Sequence, residues 1–167
     1  MRFTISALAL AASAAVVNAG TVTFWTLDST VRTIYFTGNQ GMPQVAPVDV
    51  DSTKNVTVNF PFGWIGNYYA IPKGQENKPG MLGEVAFDGW QGMTYFDVSA
   101  IVNPNDANNV RQMWPVGELA PMSGCTYHPC GNLYWHPDDT QTKVTHSSDL
   151  MCTLGSGITG LAFSEPQ

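Results

Sequence analysis

Polar and apolar residues alternate in short runs along this chain, and glycine or proline cuts each run off. A side chain returning to the same face every second position is the pattern of a strand with one dry side. Thr21-Val22-Thr23-Phe24-Trp25-Thr26 alternates in this way, and after a turn at Asp28-Ser29-Thr30 so does Val31 to Thr37. Residues 38–47 read as loop. Asn55 to Phe60 is the next run, stopped by Pro61; Gly63 to Ile71 follows, with a polar turn over 72–79. Leu82 to Asp88 and Met93 to Ala100 form a pair joined across Gly89-Trp90-Gln91-Gly92. Six strands at this spacing predict an all-β chain, a β-sandwich. Charged residues are only 12% of the total, well below the usual ~25%. With so many aromatic and turn residues, the composition is that of a compact domain and not of a disordered one.

Beyond Asn103-Pro104-Asn105-Asp106 the alternation loosens into a loop-rich C-terminal third. Asp106 is placed to cap a short helix through Asn109 to Met113, with Pro115 ending it. Glu118 onward reads as loop, closed by short strands near Lys143-Val144-Thr145 and from Leu150 to Leu154. No repeat, heptad or composition shift marks a boundary, so residues 20–167 read as a single domain.

Residues 1–19 have the form of a secretory signal peptide. Met1-Arg2 supplies a positive charge, Phe3 to Val17 is uncharged and largely apolar, and Val17-Asn18-Ala19 sets small residues before a cut at Gly20. No later run of about 18 apolar residues follows, so the expectation is export and release without membrane insertion. The formal net charge of −6 argues against nucleic acid as partner, since phosphate binders need clustered cations.

Export also frames the three cysteines. In an oxidising compartment two are expected to pair. Cys125 and Cys130 bracket Thr-Tyr-His-Pro and could close a local loop, while Cys152 is the alternative partner of either. Cys125-x-x-His128-x-Cys130, with His136, Asp138, Asp139 and His146 beyond, matches no common zinc spacing, so no metal and no cofactor is expected. A copper-dependent oxidative polysaccharide enzyme would need a histidine at the mature N-terminus, where this chain has Gly20. Asn55-Val56-Thr57 is a sequon for N-glycosylation, usable if its strand is exposed.

Two kinds of residue remain as candidate chemistry. Glu84, Asp88 and Asp97 lie on the two strands around Gly89-Trp90-Gln91-Gly92 and could converge on one surface. Glycoside hydrolysis needs two such carboxyls facing one bond, so Glu84 and Asp97 are the catalytic candidates. Aromatic residues are the other kind, because their faces stack on sugar rings and anchor interfaces. Half or more of them are expected in the core. Trp90, Tyr134 and Trp135 sit in turn-rich contexts and are expected at the surface.

Met93-Thr94-Tyr95-Phe96-Asp97-Val98-Ser99-Ala100-Ile101, preceded by Gly83-Glu84-Val85-Ala86-Phe87, resembles the acidic strands of the thaumatin-like proteins. Gly124-Cys125 followed by Cys130 is similar to that family's late Gly-Cys loop. Size and the opening Thr-Val-Thr-Phe strand point to its small secreted fungal members associated with conidia. The resemblance implies a thaumatin-like β-sandwich, an extracellular or wall-associated life, and β-glucan contact through an acidic cleft in which Glu84 and Asp97 match the Glu and first Asp. The family's second Asp falls at Val102, and its dense disulfide framework is missing. The expectation is therefore a non-catalytic wall or surface protein that binds β-glucan through Glu84, Asp88, Trp90 and Asp97. For the fungal members the resemblance further implies roles in conidial germination, wall assembly and host-cell contact. The alternatives are a weak endo-β-1,3-glucanase with antifungal action, and an adhesin or effector that meets a host surface protein through the Cys125–Asp139 loop.

Overall fold

The structure is a computed structural model that describes residues 18–163. Residues 1–17, which carry most of the expected signal peptide, lie outside the described residues.

Among the described residues eleven strands form two sheets. The first holds β1 (Asn18–Thr26), β4 (Val56–Pro61), β8 (Val110–Pro115), β9 (Ser123–Gly124) and β11 (Asp149–Leu154), in the order β4-β1-β11-β8-β9. The second holds β2 (Arg32–Gly38), β3 (Val48–Val50), β5 (Ile65–Pro72), β6 (Leu82–Ala86), β7 (Thr94–Ser99) and β10 (Lys143–Thr145), in the order β10-β7-β6-β5-β2-β3. Neighbours are antiparallel except β1 and β11, which run parallel from Thr21 opposite Asp149 to Thr26 opposite Leu154.

One core lies between the sheets, and the alternation of the strands explains which residues reach it. Val22 and Phe24 of β1, Phe60 of β4, Met113 of β8 and Leu150 and Cys152 of β11 enter from one side. Ile34, Tyr68, Val85, Phe96 and Val98 enter from the other. The two sets meet edge to face where the Phe24 and Tyr68 rings stand 5.1 Å apart, an arrangement favoured by the ring quadrupoles. Trp64 closes one end of the core, fully buried, with its indole N–H donating to the Pro43 carbonyl at 3.1 Å.

The strands expected at residues 21–26, 31–37, 55–60, 63–71, 82–88, 93–100, 143–145 and 150–154 all appear within a few residues of their positions. The helix expected from Asp106 does not. Val110–Pro115 is instead a strand, β8, with all six residues buried between β11 and β9. Both faces of this strand are covered, so it carries no alternation to read. Asp106 caps no helix and instead ties two loops together. Its carboxylate accepts from the Met81 N–H at 3.0 Å and from the Asn109 side-chain amide.

The loop-rich third is stapled by the local pairing. Cys125 and Cys130 are joined, with Cα atoms 5.7 Å apart, and Cys152 is free and buried in the core. Beneath that loop the buried Arg111 has no carboxylate partner among the described residues. Its guanidinium donates to the carbonyls of Cys125 (3.2 Å), Gly155 (3.2 Å) and Gly157 (3.0 Å), and to that of Thr126. Four carbonyls thus share one buried cation and hold the disulfide loop against the C-terminal segment.

Candidate functional site

The outer face of the six-stranded sheet bears the candidate site, and strand register builds it. Thr37 lies opposite Asn67, Asn67 opposite Glu84, and Glu84 opposite Asp97. Because Lys143 pairs with Phe96 in antiparallel sense, Thr142 arrives beside Asp97 and its hydroxyl approaches Oδ2 at 3.4 Å. A transverse row of oxygen-bearing side chains therefore crosses the sheet. The next row toward the turns is Ile65, Ala86 and Tyr95, also in register. Between and around these rows lies an open groove of about 250 Å³, lined by Asn39, Asn67, Glu84, Tyr95, Asp97 and Thr142, with Gly66 and Val85 in its floor. Gly66 cannot carry a side chain there, since a Cβ would stand 2.2 Å from the Thr37 carbonyl oxygen.

The carboxyls of Glu84 and Asp97 are the chemical centre of this groove. Asp97 is only 6% exposed, and its Oδ1 finds no donor in the surrounding protein. Burial first, and then the neighbouring Glu84 carboxyl, push its pKa up to about 7, while Thr142 and the Lys143 cation pull weakly the other way. Asp97 therefore keeps its proton to near neutral pH, because burial and a like charge on the adjacent strand both disfavour its ionised form. Glycosidases hold their carboxyls about 5–5.5 Å apart or farther, on opposite sides of the bond to be cut. Here the two carboxyls project from directly paired positions of neighbouring strands, on the same side of the groove and not across it from one another.

Glu84 and Asp97 are thus brought together as the sequence pattern implied. Asp88 and Trp90 are not in the groove. They belong to the β6–β7 turn, where Trp90–Gly92 make a single 3-10 turn and Trp90 is 73% exposed. The turn is still tied to the groove, for the Tyr95 hydroxyl donates to the Trp90 carbonyl at 3.2 Å. Asn39, Asn67, Tyr95 and Thr142 escaped sequence reasoning as site residues. The position of Asn67, two residues along its strand from Ile65 and Tyr69, was the available signal, since period two puts all three on one face.

Of the aromatics expected at the surface, Trp90 is there. Tyr134 and Trp135 are only half-exposed. The Trp135 indole N–H donates to the Cys130 carbonyl at 2.9 Å, and its ring lies 5.4 Å from that of His128. Trp135 therefore braces the disulfide loop. Tyr127 projects from that loop instead, 70% exposed. Asn55 is exposed immediately ahead of β4, an edge strand. Among the described residues no group of three His, Cys, Asp or Glu is placed to hold a metal ion. No helix among them is long and apolar enough to cross a membrane.

No family model matches the chain. Among solved structures, the protein elicitor MoHrip2 from Magnaporthe oryzae shares this fold with a TM-score of 0.65, covering 83% of this chain and 100% of its own at 12% identity. That likeness replaces the thaumatin-like assignment, which does not hold. The aromatic-Asp-Val-Ser segment that prompted it is β7, and its pattern is what a strand with one apolar face and one half-covered face produces in many sandwiches. The Gly-Cys loop is a local staple of five-residue separation, and carries no long-range framework. By sequence, the antigenic protein SchS21 of Stachybotrys chartarum is 60% identical over 142 residues, which make up 85% of this chain and 99% of that protein. With nearly the whole of that protein matched at this identity, the chain belongs to the family of the antigenic protein SchS21.

Proposed function

We propose that this is an extracellular, non-catalytic binding protein whose groove takes a neutral, hydroxyl-rich ligand, a cell-wall β-glucan. The observation that carries the reading is the register that sets Glu84 beside the buried Asp97 in an open groove flanked by Asn67 and Tyr95, with Asp97 holding its proton to near neutral pH. A protonated carboxyl donates and its neighbour accepts, which matches the paired donor and acceptor character of sugar hydroxyls. Amide and phenol groups add further donors and acceptors, and Ile65 and Ala86 offer apolar surface to a ring face. The expected export supports the reading, as does the description of the 60% identical relative as an antigenic protein.

The test is retention of the protein on insoluble β-1,3-glucan, chitin and cellulose, with reducing ends assayed in the same tubes. Retention on β-1,3-glucan without new reducing ends is expected, and its loss in Asn67→Ala and Glu84→Ala variants that melt normally. Absence of retention on all three polymers overturns the reading, and release of reducing ends turns it into a glucanase.

A second reading is favoured by one specific observation. The disulfide loop is braced from below by Arg111 and Trp135 and presents Tyr127 to solvent. A rigid loop with an exposed tyrosine is a typical protein-binding anchor, and a host surface protein would be its partner. Binding to cells that excess soluble glucan fails to compete, and that Tyr127→Ala abolishes, would establish it.

A further inference from the structure

The groove does not stop at the carboxyl pair. Beyond its Ile65–Ala86–Tyr95 row, two turns leave the same end of the sheet, residues 61–64 before β5 and residues 87–93 between β6 and β7. They are joined where the Phe87 N–H donates to the Trp64 carbonyl at 3.0 Å. Each turns one aromatic ring outward, Phe62 at 64% exposure and Trp90 at 73%. Neither ring has a place in the core, and among the described residues Trp90 packs against no other aromatic ring.

The backbone that presents Trp90 is strained on both sides of it. Asp88 (φ 49°) and Gln91 (φ 58°) are the two non-glycine residues with left-handed φ among the described residues. L-residues adopt this conformation at a cost and keep it where the surroundings impose it, often at ligand contacts. Here the Gly89 N–H donates to the Met93 carbonyl at 2.8 Å and the Gly92 N–H to the Gly89 carbonyl at 2.9 Å. The Tyr95 hydroxyl, itself a groove group, clamps the Trp90 carbonyl. The turn is thus built to a fixed shape and wired to the groove.

We propose that the Asp88–Met93 turn is a distal subsite, with Trp90 as the platform on which one ring of a linear glycan stacks while another ring occupies the groove. The inference rests on the groove reading above and adds the length of the ligand to it. From Asp97 to Met93 is four residues of extended strand, roughly 13 Å at about 3.3 Å per residue, which is farther than one sugar ring reaches. The ligand is therefore an extended strand of several units lying along β7, and a short oligosaccharide fills only the groove. Phe62, from the adjoining turn, widens the apolar lip.

The experiment titrates the full chain by NMR with β-1,3- and β-1,4-linked gluco-oligosaccharides, a disaccharide and a hexasaccharide of each. The wild type should bind the hexasaccharide of the preferred linkage at least about tenfold more tightly than its disaccharide, the scale of one aromatic anchor. Trp90→Ala should bring the hexasaccharide down to the disaccharide's affinity and leave the disaccharide unchanged. Trp90→Phe, which keeps a ring, should retain most of the difference. Glu84→Gln should weaken both lengths. Equal affinity for the two lengths in the wild type, or an unchanged hexasaccharide affinity in Trp90→Ala, overturns the distal subsite while an effect of Glu84→Gln keeps the groove. If neither length of either linkage binds, the groove reading and the distal subsite fall together.

Discussion

Arg32 and Asp28 close one end of the core through a two-pronged ion pair, Nη1 to Oδ1 at 2.7 Å and Nη2 to Oδ2 at 2.8 Å. Arg32 is only 2% exposed and also donates to the Asn109 side chain at 2.9 Å and to the Asn108 carbonyl at 2.8 Å. The Arg32 guanidinium, with N–H groups of Thr30 and Ser156, holds the Asp28 carboxyl far below its usual range. Removing the carboxylate strands a buried cation. Asp28→Ala should therefore lose about 3–5 kcal/mol of stability, as broken buried pairs do, measured by urea unfolding at neutral pH. The sign of the pH dependence follows from the lowered pKa. The contribution is present above the usual carboxylate range near 3.8 and is lost only as pH falls toward the folded value. Wild type and variant should thus converge only in strong acid.

Asp97 works in the opposite direction. Its pKa in the folded chain is raised from 3.8 to about 7, so the native state holds a proton that the unfolded chain releases. Below the unfolded value this costs nothing. As pH rises from about 4 through 7 stability should fall, by on the order of 4 kcal/mol for a shift of this size, and level off above it. Asp97→Asn keeps a donor for Glu84 and removes the titration. Its melting temperature should exceed that of the wild type at pH 8 and match it near pH 4; a parallel pair of pH profiles would rule out this account.

Cys152 should be silent to thiol reagents in the native protein. It is fully buried, beside the Tyr68 hydroxyl, and burial pushes its thiol up to about 12. Thiolate is the reactive form, and neither access nor ionisation is provided. With Cys125 and Cys130 bonded, a reagent such as dithionitrobenzoate should report one thiol per chain after denaturation without reductant, and none before.

Asn55 should carry a glycan when the chain passes through a eukaryotic secretory route. It is exposed at the start of an edge strand, and Thr57 of the same sequon is exposed too, touching Thr23 Oγ1 at 2.8 Å. Intact mass should drop to the polypeptide value in Asn55→Gln. Stability should change by less than about 0.5 kcal/mol, as for other surface substitutions.

How far the sequence could be read depended on whether a strand had one dry face. β1, β2, β5, β6 and β7 do, and their alternation exposed them, together with the Glu84–Asp97 pairing that follows from the β6–β7 hairpin. β8 has two covered faces and encloses Arg111 and Gln112, so its polar residues imitate a loop or a short helix. Thr142 reaches the groove from a segment with no pattern at all, brought there by the pairing of β10 with β7. Asn67 lay on a strand already recognised, yet only cross-strand register reveals that it stands beside Glu84. The family escaped for a related reason: an acidic strand and a small cystine loop are local features, while membership here is carried by identity along 142 residues.

The parallel pairing of β1 with β11 carries a consequence for how the chain comes into being. Strand β11 sits in the middle of its sheet, between β1 and β8, and contacts such as that of Thr21 with Asp149 span 128 residues. Until the last strand has emerged from the ribosome, β1 with β4 and β8 with β9 are two unjoined halves, and the core has no second wall. Such long-range closure is slow, and it ties completion of the first sheet to the arrival of β11. A core that needs its first and last strands side by side cannot lock piece by piece, and the first sheet closes as one cooperative unit.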